Sequence, residues 1–316
     1  MKIAITGALG HIGSGLIRYL SDRFPSESII MIDNMRTQRY SSLFNLPLSG
    51  NYRFIEGDIL ELNLEHLFNG VDIVIHLAAI TDAAGSFAKK REIESHNFQV
   101  TKRVVESCSS KQARLLFLST TSVYGTAKDV VSEDCSMDEL NPQSPYAETK
   151  IKEESIVRKF CDKKELNAVI CRFGTIYGKS PGIRFHTAVN KFCWQASLGL
   201  PVTVWETAYD QKRPYLDLFD AYRAISFIIR NELFEGEIYN ILTHNKTVHQ
   251  IVDTIREFVP TLEIKFVKNE IMNQLSYDVS TEKFKSKGFI YKGDLKRGIK
   301  ETLMLFNGLN TISQNN

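Results

Sequence analysis

The sequence has 316 residues, of which 43% are hydrophobic and 24% are charged, and its net charge at pH 7 is +2. This balance is typical of a globular protein, argues against a nucleic-acid or membrane surface, and leaves no apolar run long enough to span a bilayer. A strand predicted from residue 2 leaves no room for a signal peptide. The five cysteines form no CxxC pair and the seven histidines show no metal-ligand spacing. We therefore expect a cytoplasmic protein with free thiols and without a metal site.

The first half of the chain alternates short apolar runs with helical patterns. Strands are predicted over residues 2–6, 29–33, 53–56, 72–77, 114–119 and 168–173, and helices over residues 12–24, 98–109 and 146–161. Because most of the runs lack polar alternation, they suit strands that are buried on both faces of a parallel sheet. The alternation predicts an α/β fold with a doubly wound parallel sheet of the Rossmann type.

After Gly178 the pattern changes. It predicts a helix over 187–198, a strand over 202–205, a basic loop ending at 212–214, a helix over 218–231, a strand over 237–241 and a helix over 248–258. We expect residues 1–175 to form a dinucleotide-binding domain, to which residues 214–243 return. Residues 176–213 and 244–316 are then expected to form a smaller, interwoven C-terminal substrate lobe.

Three glycines mark the turn between the first predicted strand and helix. Gly7, Gly10 and Gly13 flank His11 and Ile12 with the spacing G-x-x-G-x-x-G. Glycine permits a tight turn, and the N–H groups and dipole at a helix N-terminus favour a phosphate. The strand–turn–helix context therefore predicts a dinucleotide site.

Asp33 ends the second predicted strand, about 20 residues beyond this turn, where an acid is expected to accept hydrogen bonds from ribose hydroxyls. Its carboxylate would repel a 2′-phosphate, which favours NAD over NADP, although Arg36 nearby leaves NADP open.

A candidate catalytic group lies further along the chain. Tyr146 and Lys150 are four residues apart and share one face of a predicted helix. The ammonium and the positive charge of an oxidised nicotinamide would together lower the pKa of the phenol, so that Tyr146 could accept a hydroxyl proton. Thr120, at the end of a central strand, could hydrogen-bond the same oxygen. These three residues predict hydride and proton chemistry at an alcohol carbon.

Together these motifs resemble the extended short-chain dehydrogenases/reductases of the nucleotide-sugar epimerase/dehydratase group. Further matching segments are Gly57-Asp58-Ile59, His76-Leu77-Ala78-Ala79, Asn97, residues 172–178 and residues 212–217. The resemblance implies bound NAD, with Thr120, Tyr146 and Lys150 as catalytic residues. The implied cofactor-binding residues are Gly7, Gly10, His11, Ile12, Gly13, Asp33, Asn34, Asp58, Ile59, Leu77, Ala78, Ala79, Asn97, Tyr146 and Lys150.

The resemblance also implies a nucleotide-diphosphate sugar as substrate, with Arg213 on the diphosphate. Candidate substrate contacts are Thr81, Thr121, Thr175, Arg184, Trp205 and Arg213, with His186 and Asp82 as further candidates. Trp205 fits a lobe-core strand equally well. The 4,6-dehydratases carry Asp-Glu where Thr121 and Ser122 stand here, which argues against dehydration. Thr175 replaces the asparagine that is usual in the family, so galactose-epimerase specificity does not carry over directly.

The leading hypothesis is an NAD-dependent nucleotide-sugar 4-epimerase that oxidises C4 transiently. The alternative is a C4 dehydrogenase or ketoreductase with a net redox change, and a third is a non-catalytic NAD-binding regulator. The family's helices that correspond to 98–109 and 146–161 pair across a two-fold axis, so a homodimer is expected. The sugar, the nucleotide and the pathway stay open.

Overall fold

The computed structural model describes residues 1–81, 90–125, 130–136, 140–142, 144–268 and 276–309, without the side chains of residues 90–93. The strands and helices of its first half are β1 (Lys2–Thr6), α1 (His11–Arg23), β2 (Ser28–Asp33), β3 (Asn51–Glu56), α2 (Leu64–Leu67), β4 (Ile73–His76), α3 (Lys90–Lys111), β5 (Arg114–Thr120), β6 (Val130–Val131), α4 (Pro145–Asp162) and β7 (Ala168–Phe173).

The second half continues with shorter elements. They are β8 (Thr175–Tyr177), α5 (Ala188–Ser197), β9 (Val202–Trp205), β10 (Lys212–Asp217), α6 (Leu218–Arg230), β11 (Ile238–Ile241), β12 (His244–Thr247), α7 (Val248–Arg256), β13 (Ile264–Val267), β14 (Asp278–Val279), α8 (Glu282–Ser286) and α9 (Leu295–Leu303).

The described residues form one seven-stranded parallel sheet in the order β11-β7-β5-β4-β1-β2-β3. The central strand β1 has β2 on one side and β4 on the other, so the chain changes direction across the sheet at β1. In open α/β sheets, ligands bind in the crevice at the carboxyl ends of strands beside such a point. The predicted doubly wound sheet is confirmed.

Hydrophobic side chains cover both faces of this sheet. Ile3 and Ile5 face one core cluster, which α1 and α6 cover, and Ala4 faces the other, which α3 and α4 cover. All three side chains are fully buried. This explains why the strand sequences lack polar alternation.

Most predicted element bounds agree with the structure within two residues, and two differ by more or in kind. The helix predicted over 98–109 begins earlier, at Lys90. The sequence does not reveal its first turns, because they are mostly polar and carry no apolar periodicity. Residues 212–214, predicted to end a loop, begin β10, where Lys212 pairs with Thr247 and Pro214 with Asn245 of β12. Residues 212–214 form a strand because they pair with β12, and the local sequence does not show this pairing.

The C-terminal half contributes to more than one layer. β11 pairs in parallel with β7 and forms one edge of the main sheet, whereas β10 lies between β8 and β12 in a separate three-stranded sheet. A third core cluster joins α5, α7 and α9. The division into two domains stays a prediction. None of the described helices combines the length and the apolar character that crossing a membrane requires.

Candidate active site

A cavity of about 660 Å³ opens at the carboxyl ends of β1, β2, β4 and β5. Most of the predicted site residues line it. They are Gly7, Gly10, His11, Ile12, Gly13, Asp33, Asn34, Asp58, Ile59, Leu77, Ala78, Ala79, Thr81, Thr120, Tyr146, Lys150 and Arg184. The volume lies in the range of small-molecule and cofactor sites.

The glycine turn forms one wall of this cavity. Gly7 has a φ of +64°, and a Cβ added to it would lie 2.7 Å from the backbone nitrogen of Ala78. A Cβ at Gly13 would lie 2.5 Å from the carbonyl oxygen of Ala8. The N-cap of α1 is Gly10, which has no side chain to cap the first N–H groups, and the first turn holds no acidic residue. The turn therefore fits a dinucleotide diphosphate.

Two acidic residues line the cavity near the ends of β2 and β3. The two carboxylate oxygens of Asp33 accept hydrogen bonds from the backbone N–H groups of Leu9 and Met35, each at 3.0 Å. The Asp58 carboxylate accepts from Asn34 Nδ2 at 3.0 Å and from the Leu60 N–H at 2.9 Å. Partial burial opposes ionisation, but these two hydrogen bonds hold the pKa of Asp58 below its ordinary value. Both carboxylates can accept hydrogen bonds from the hydroxyl groups of a dinucleotide.

Arg39 also lines this part of the cavity, and sequence reasoning missed it. A Cβ at Gly10 would lie 3.8 Å from its Nη1 atom, and Asp33 acts electrostatically on its guanidinium. Arg39 lies in an irregular segment after β2 that carries no motif, so the sequence held no signal for it.

Two predicted motif residues, His76 in the cavity lining and Asn97 outside it, hold the cavity wall in place. His76 Nδ1 lies 2.7 Å from Thr6 Oγ1 and its Nε2 lies 3.2 Å from Thr101 Oγ1, and burial lowers its pKa to about 3. The Asn97 amide both accepts from the Ile80 N–H at 2.8 Å and donates to the Ile80 carbonyl at 2.9 Å. Asn97 is outside the cavity lining, and it holds the lining segment in place.

The start of α4 positions the predicted catalytic side chains. Ser144 is the N-cap, its Oγ accepts from the Ala147 N–H at 3.2 Å, and Pro145 is the first helical residue. This start places Tyr146 in the first turn and Lys150 one turn later, both facing the cavity together with Thr120 at the end of β5.

Lys150 is buried and held from several sides. Its Nζ donates to the Leu118 carbonyl at 3.0 Å and to Glu153 Oε2 at 2.8 Å. The same atom lies 4.7 Å from the centroid of the Phe117 ring and 6.0 Å from that of Tyr146. Burial lowers the pKa of Lys150, but the charges of Glu153 and Tyr146 outweigh burial and raise it overall. Lys150 is therefore an ammonium at neutral pH.

The protein groups around Tyr146 oppose its ionisation on balance. Burial raises its pKa, and the opposing charges of Lys150 and Arg184 do not cancel this effect. Lys150 alone therefore does not make Tyr146 a phenolate at neutral pH.

Thr120 Oγ1 donates to Ser122 Oγ at 3.1 Å and accepts from the Ser122 N–H at the same distance. Its hydroxyl lies at the cavity surface.

The candidate substrate residues fall into two groups. Thr81 and Arg184 line the cavity and hydrogen-bond to each other, and Arg184 Nε lies 3.3 Å from Nδ1 of His186, which also lines it. Asp82 lies outside the described residues.

The remaining four candidates are not among the residues that line this cavity. Thr121 is buried and its Oγ1 donates to the Phe173 carbonyl at 3.3 Å. Thr175 begins β8, and Trp205 ends β9. Arg213 lies in β10, 5.6 Å from the centroid of the Tyr277 ring, and donates to Gln211 Oε1 at 3.0 Å.

Metal ligation finds no support in the described part of the chain, which holds no group of three or more His, Cys, Asp or Glu residues placed to bind an ion. The cysteines at positions 108, 135, 161, 171 and 193 are all free thiols.

The sequence is similar to a protein-family model and to known proteins. The model of the NAD dependent epimerase/dehydratase family matches residues 3–241. An uncharacterized UDP-glucose epimerase of Bacillus subtilis is 32% identical over 251 residues, which cover 76% of each chain. A trifunctional UDP-glucose 4,6-dehydratase/3,5-epimerase/reductase of Arabidopsis thaliana is 27% identical across 96% of this chain, but the match spans only 46% of its own length.

A solved structure is similar over nearly the whole chain. It is a tyrosine-to-phenylalanine mutant of UDP-glucuronic acid 4-epimerase from Bacillus cereus, in complex with UDP-4-deoxy-4-fluoro-glucuronic acid and NAD. It is 25% identical, the match covers 97% of this chain and 99% of that one, and the TM-score is 0.88.

Proposed function

The chain belongs to the NAD dependent epimerase/dehydratase family, and from this premise we propose that it is a nucleotide-sugar 4-epimerase. NAD is the cofactor of the enzyme. The observation that carries the proposal is that one cavity joins the acids at the ends of β2 and β3 to the Thr120–Tyr146–Lys150 group. Thr120 and Asp33 end strands that are three strand spacings apart, roughly 14 Å. A dinucleotide that lies across the strand ends would bring its reactive ring to Tyr146.

The catalytic roles follow from the positions of the side chains. In the proposed reaction Tyr146 accepts the proton of the C4 hydroxyl and later returns one, while Thr120 hydrogen-bonds the same oxygen. Lys150 supplies positive charge one turn along the helix. NAD would supply the hydride acceptor and donor for C4, and inversion would require the 4-keto sugar to rotate before the hydride returns. The positive ring of NAD would add to Lys150 in favouring the phenolate.

Dehydration is disfavoured by the positions of the carboxylates in the cavity. Among the described residues that line it, Asp33 and Asp58 are the only carboxylates, and both lie at the ends of β2 and β3, away from Tyr146. Thr121 and Ser122 supply hydroxyls where the 4,6-dehydratases have an acid pair. Elimination of water would require a proton donor and acceptor beside the sugar.

We propose a sugar that carries an acid group. The cavity wall near Tyr146 contains Arg184, His186, Thr81 and Thr187. This set of a guanidinium, an imidazole and two hydroxyl groups fits a carboxylate. The Bacillus cereus relative is named for a UDP-linked uronic acid. UDP-glucuronic acid is therefore the first substrate to test.

The nucleotide is proposed to lie beyond the cavity, towards the C-terminal elements. Arg213 would contact its diphosphate, because a guanidinium binds phosphate oxygens bidentately. Trp205 and Thr175 are proposed to contribute to the adjoining wall. Thr121, whose buried hydroxyl donates to the Phe173 carbonyl, is proposed to lie behind it.

The experiment incubates the purified protein with UDP-glucuronic acid, and separately with UDP-glucose, in heavy water without added NAD. An epimer of unchanged mass supports the proposal, because the hydride then returns within the active site. In a parallel reaction with added NAD as oxidant, a product that has lost two hydrogens supports the C4 dehydrogenase instead. Loss of water in either reaction supports dehydration. Absence of turnover with both sugars contradicts an epimerase for these substrates.

The quaternary state is also a proposal. The helices α3 and α4 pack against each other, and an open cavity on their outer side is lined by Glu94, Ser95, Phe98, Lys152 and Ser155. We propose that a second copy covers this face in a homodimer. Light scattering that gives the mass of a single chain at micromolar concentration would contradict it.

A further inference from the structure

Glu153 is a buried acid beside the catalytic group that the proposed mechanism does not use. It lies on α4, three residues after Lys150, and its side chain has no exposed surface. Glu153 Oε2 accepts from Lys150 Nζ at 2.8 Å. Its Oε1 is also buried and has no hydrogen-bond partner among the described residues. A buried carboxylate with one oxygen unsatisfied is unfavourable, so its presence calls for a physical reason.

The neighbouring Glu154 shows what a structural carboxylate in this helix looks like. Its Oε1 accepts from Arg172 Nε at 3.0 Å and from the Ser119 hydroxyl, and its Oε2 accepts from Arg172 Nη2 at 2.7 Å. Glu154 is thus satisfied on both oxygens and ties α4 to β5 and β7. In contrast, Glu153 makes its one hydrogen bond in the described structure to Lys150.

We propose that Glu153 is a positioning residue that fixes the Lys150 ammonium against the Leu118 carbonyl and sets the pH range in which Tyr146 and Lys150 act. The part of this inference that concerns turnover rests on the proposed function. The effect on the ionisation of Tyr146 does not rest on it.

The charged groups around Lys150 leave Glu153 as its nearest counterion. From β4, His76 faces Lys150 and is neutral, because burial lowers its pKa to about 3. From β5, Lys150 meets a backbone carbonyl and the Phe117 ring. Glu154 acts on Lys150 more weakly than Glu153 does, and its own carboxylate is paired with Arg172 of β7.

The same charge acts on Tyr146. Burial raises the pKa of Tyr146, Lys150 lowers it, and Glu153 raises it further, while Arg184 from the loop after β8 lowers it. Glu153 thus partly cancels the positive charge that would stabilise the phenolate. Glu153 therefore has two effects: it fixes the Lys150 ammonium in position, and it raises the pH at which Tyr146 loses its proton.

A Glu153→Gln substitution separates the two consequences. The amide keeps the shape and an oxygen that can accept from Lys150, and it removes the negative charge. Without that charge Tyr146 and Lys150 both lose their protons at lower pH. Both limbs of the pH–rate profile should therefore move to lower pH together, by on the order of one unit. A merely structural role would lower the plateau and leave both limbs in place.

The direct test is a titration of tyrosinate by ultraviolet absorbance on the full-length protein. The signal of Tyr146 is the difference between the native protein and Tyr146→Phe, and for the variant it is the difference between Glu153→Gln and the double variant. We expect the midpoint to fall by on the order of one pH unit, and superimposable difference curves would overturn the proposal. This readout needs no sugar, so it stands even if the epimerase assay fails.

Two variants complete the design. Asp162→Asn makes the same change in net charge at an exposed position on α4, and an equal shift there would overturn the proposal by showing a general charge effect. Glu153→Asp keeps the charge on a shorter side chain, so we expect kcat to fall several-fold with KM unchanged because the ammonium is displaced. Native kcat in Glu153→Asp would overturn the positioning role. This test holds even if Glu153→Gln does not fold.

Discussion

Gly182 donates its backbone N–H to Ser14 Oγ at 2.9 Å, and this bond joins the loop after β8 to the first helix of the cofactor site. Ser180 Oγ donates to the His11 carbonyl at 2.8 Å, and His11 Nε2 donates to the Gly178 carbonyl at 2.8 Å. The loop is thereby fixed to the glycine turn and to the first turn of α1. Arg184, two residues further along, owes its place in the cavity to the same contacts.

Replacement of Gly182 by alanine should disturb the cofactor site. The new Cβ would lie 2.4 Å from the Leu9 carbonyl and 2.7 Å from the Gly10 carbonyl, distances at which the backbone must move. Overpacking of this kind costs about 1–3 kcal/mol, and we expect NAD affinity and thermal stability to fall together. Calorimetric titration of the NAD-stripped protein with NAD, and thermal unfolding, measure the two quantities. The exposed Lys179→Ala in the same loop is the control. Native affinity in Gly182→Ala would show that the loop and the turn are independent.

The sheet was predictable because its signals are local. The run 2–6 contains only apolar side chains apart from its terminal Lys2 and Thr6, and a glycine turn and an amphipathic helix follow it, so the sequence indicates strand, turn and helix within 24 residues. The strand β10 was not predicted from residue 212, because its membership in a sheet depends on residues 244–247, which pair with it from more than 25 positions away. Long-range pairing of this kind leaves no local period.

The candidate site was predictable to the extent that its residues belong to short motifs. The glycine turn, Asp33, Thr120, Tyr146 and Lys150 all line one cavity. The raised pKa of Tyr146 could not be foreseen, since it depends on burial. Glu153 was missed for the same reason: in the sequence it is one of two adjacent acids on a helix, and only packing shows which one faces Lys150.

Arg184 should decide the preference for an acidic sugar. If it binds a carboxylate, Arg184→Ala should lose a charge-assisted hydrogen bond of about 1.5–3 kcal/mol, which is roughly a 10- to 150-fold loss in kcat/KM for UDP-glucuronic acid. The neutral UDP-glucose should be affected much less. Steady-state kinetics with both sugars measure the ratio, and the exposed Arg158→Ala serves as the charge control. Equal losses for the two sugars would mean that Arg184 acts on the fold or the cofactor and not on the acid group.

Tyr146→Phe should abolish turnover while the protein keeps NAD. The substitution removes only the hydroxyl that exchanges a proton with the sugar, and loss of positioned proton transfer typically costs about 10²–10⁴-fold in rate. Single-turnover assays and the NAD content of the purified variant give the two quantities. Tyr209→Phe makes the same chemical change in a tyrosine that stacks on His249, outside the residues that line the cavity, and should be as active as the native protein. Substantial turnover in Tyr146→Phe would require another base.

His11 should make the stability of the protein sensitive to acid. Burial lowers its pKa to about 4 from an ordinary value of 6.5, although the bond to the Gly178 carbonyl opposes this. Between these values the unfolded chain binds a proton at His11 and the native protein does not, so stability falls as the pH decreases from about 6.5 to about 4. The total loss from this residue is about 3 kcal/mol at the acid end of the window, since one pKa unit corresponds to about 1.4 kcal/mol. His11→Gln, whose amide can still donate to Gly178, should flatten the curve over this range, whereas the exposed His66→Gln should leave it unchanged. Urea unfolding at a series of pH values measures the slopes, and parallel curves for native protein and His11→Gln would mean that His11 is protonated in the native state.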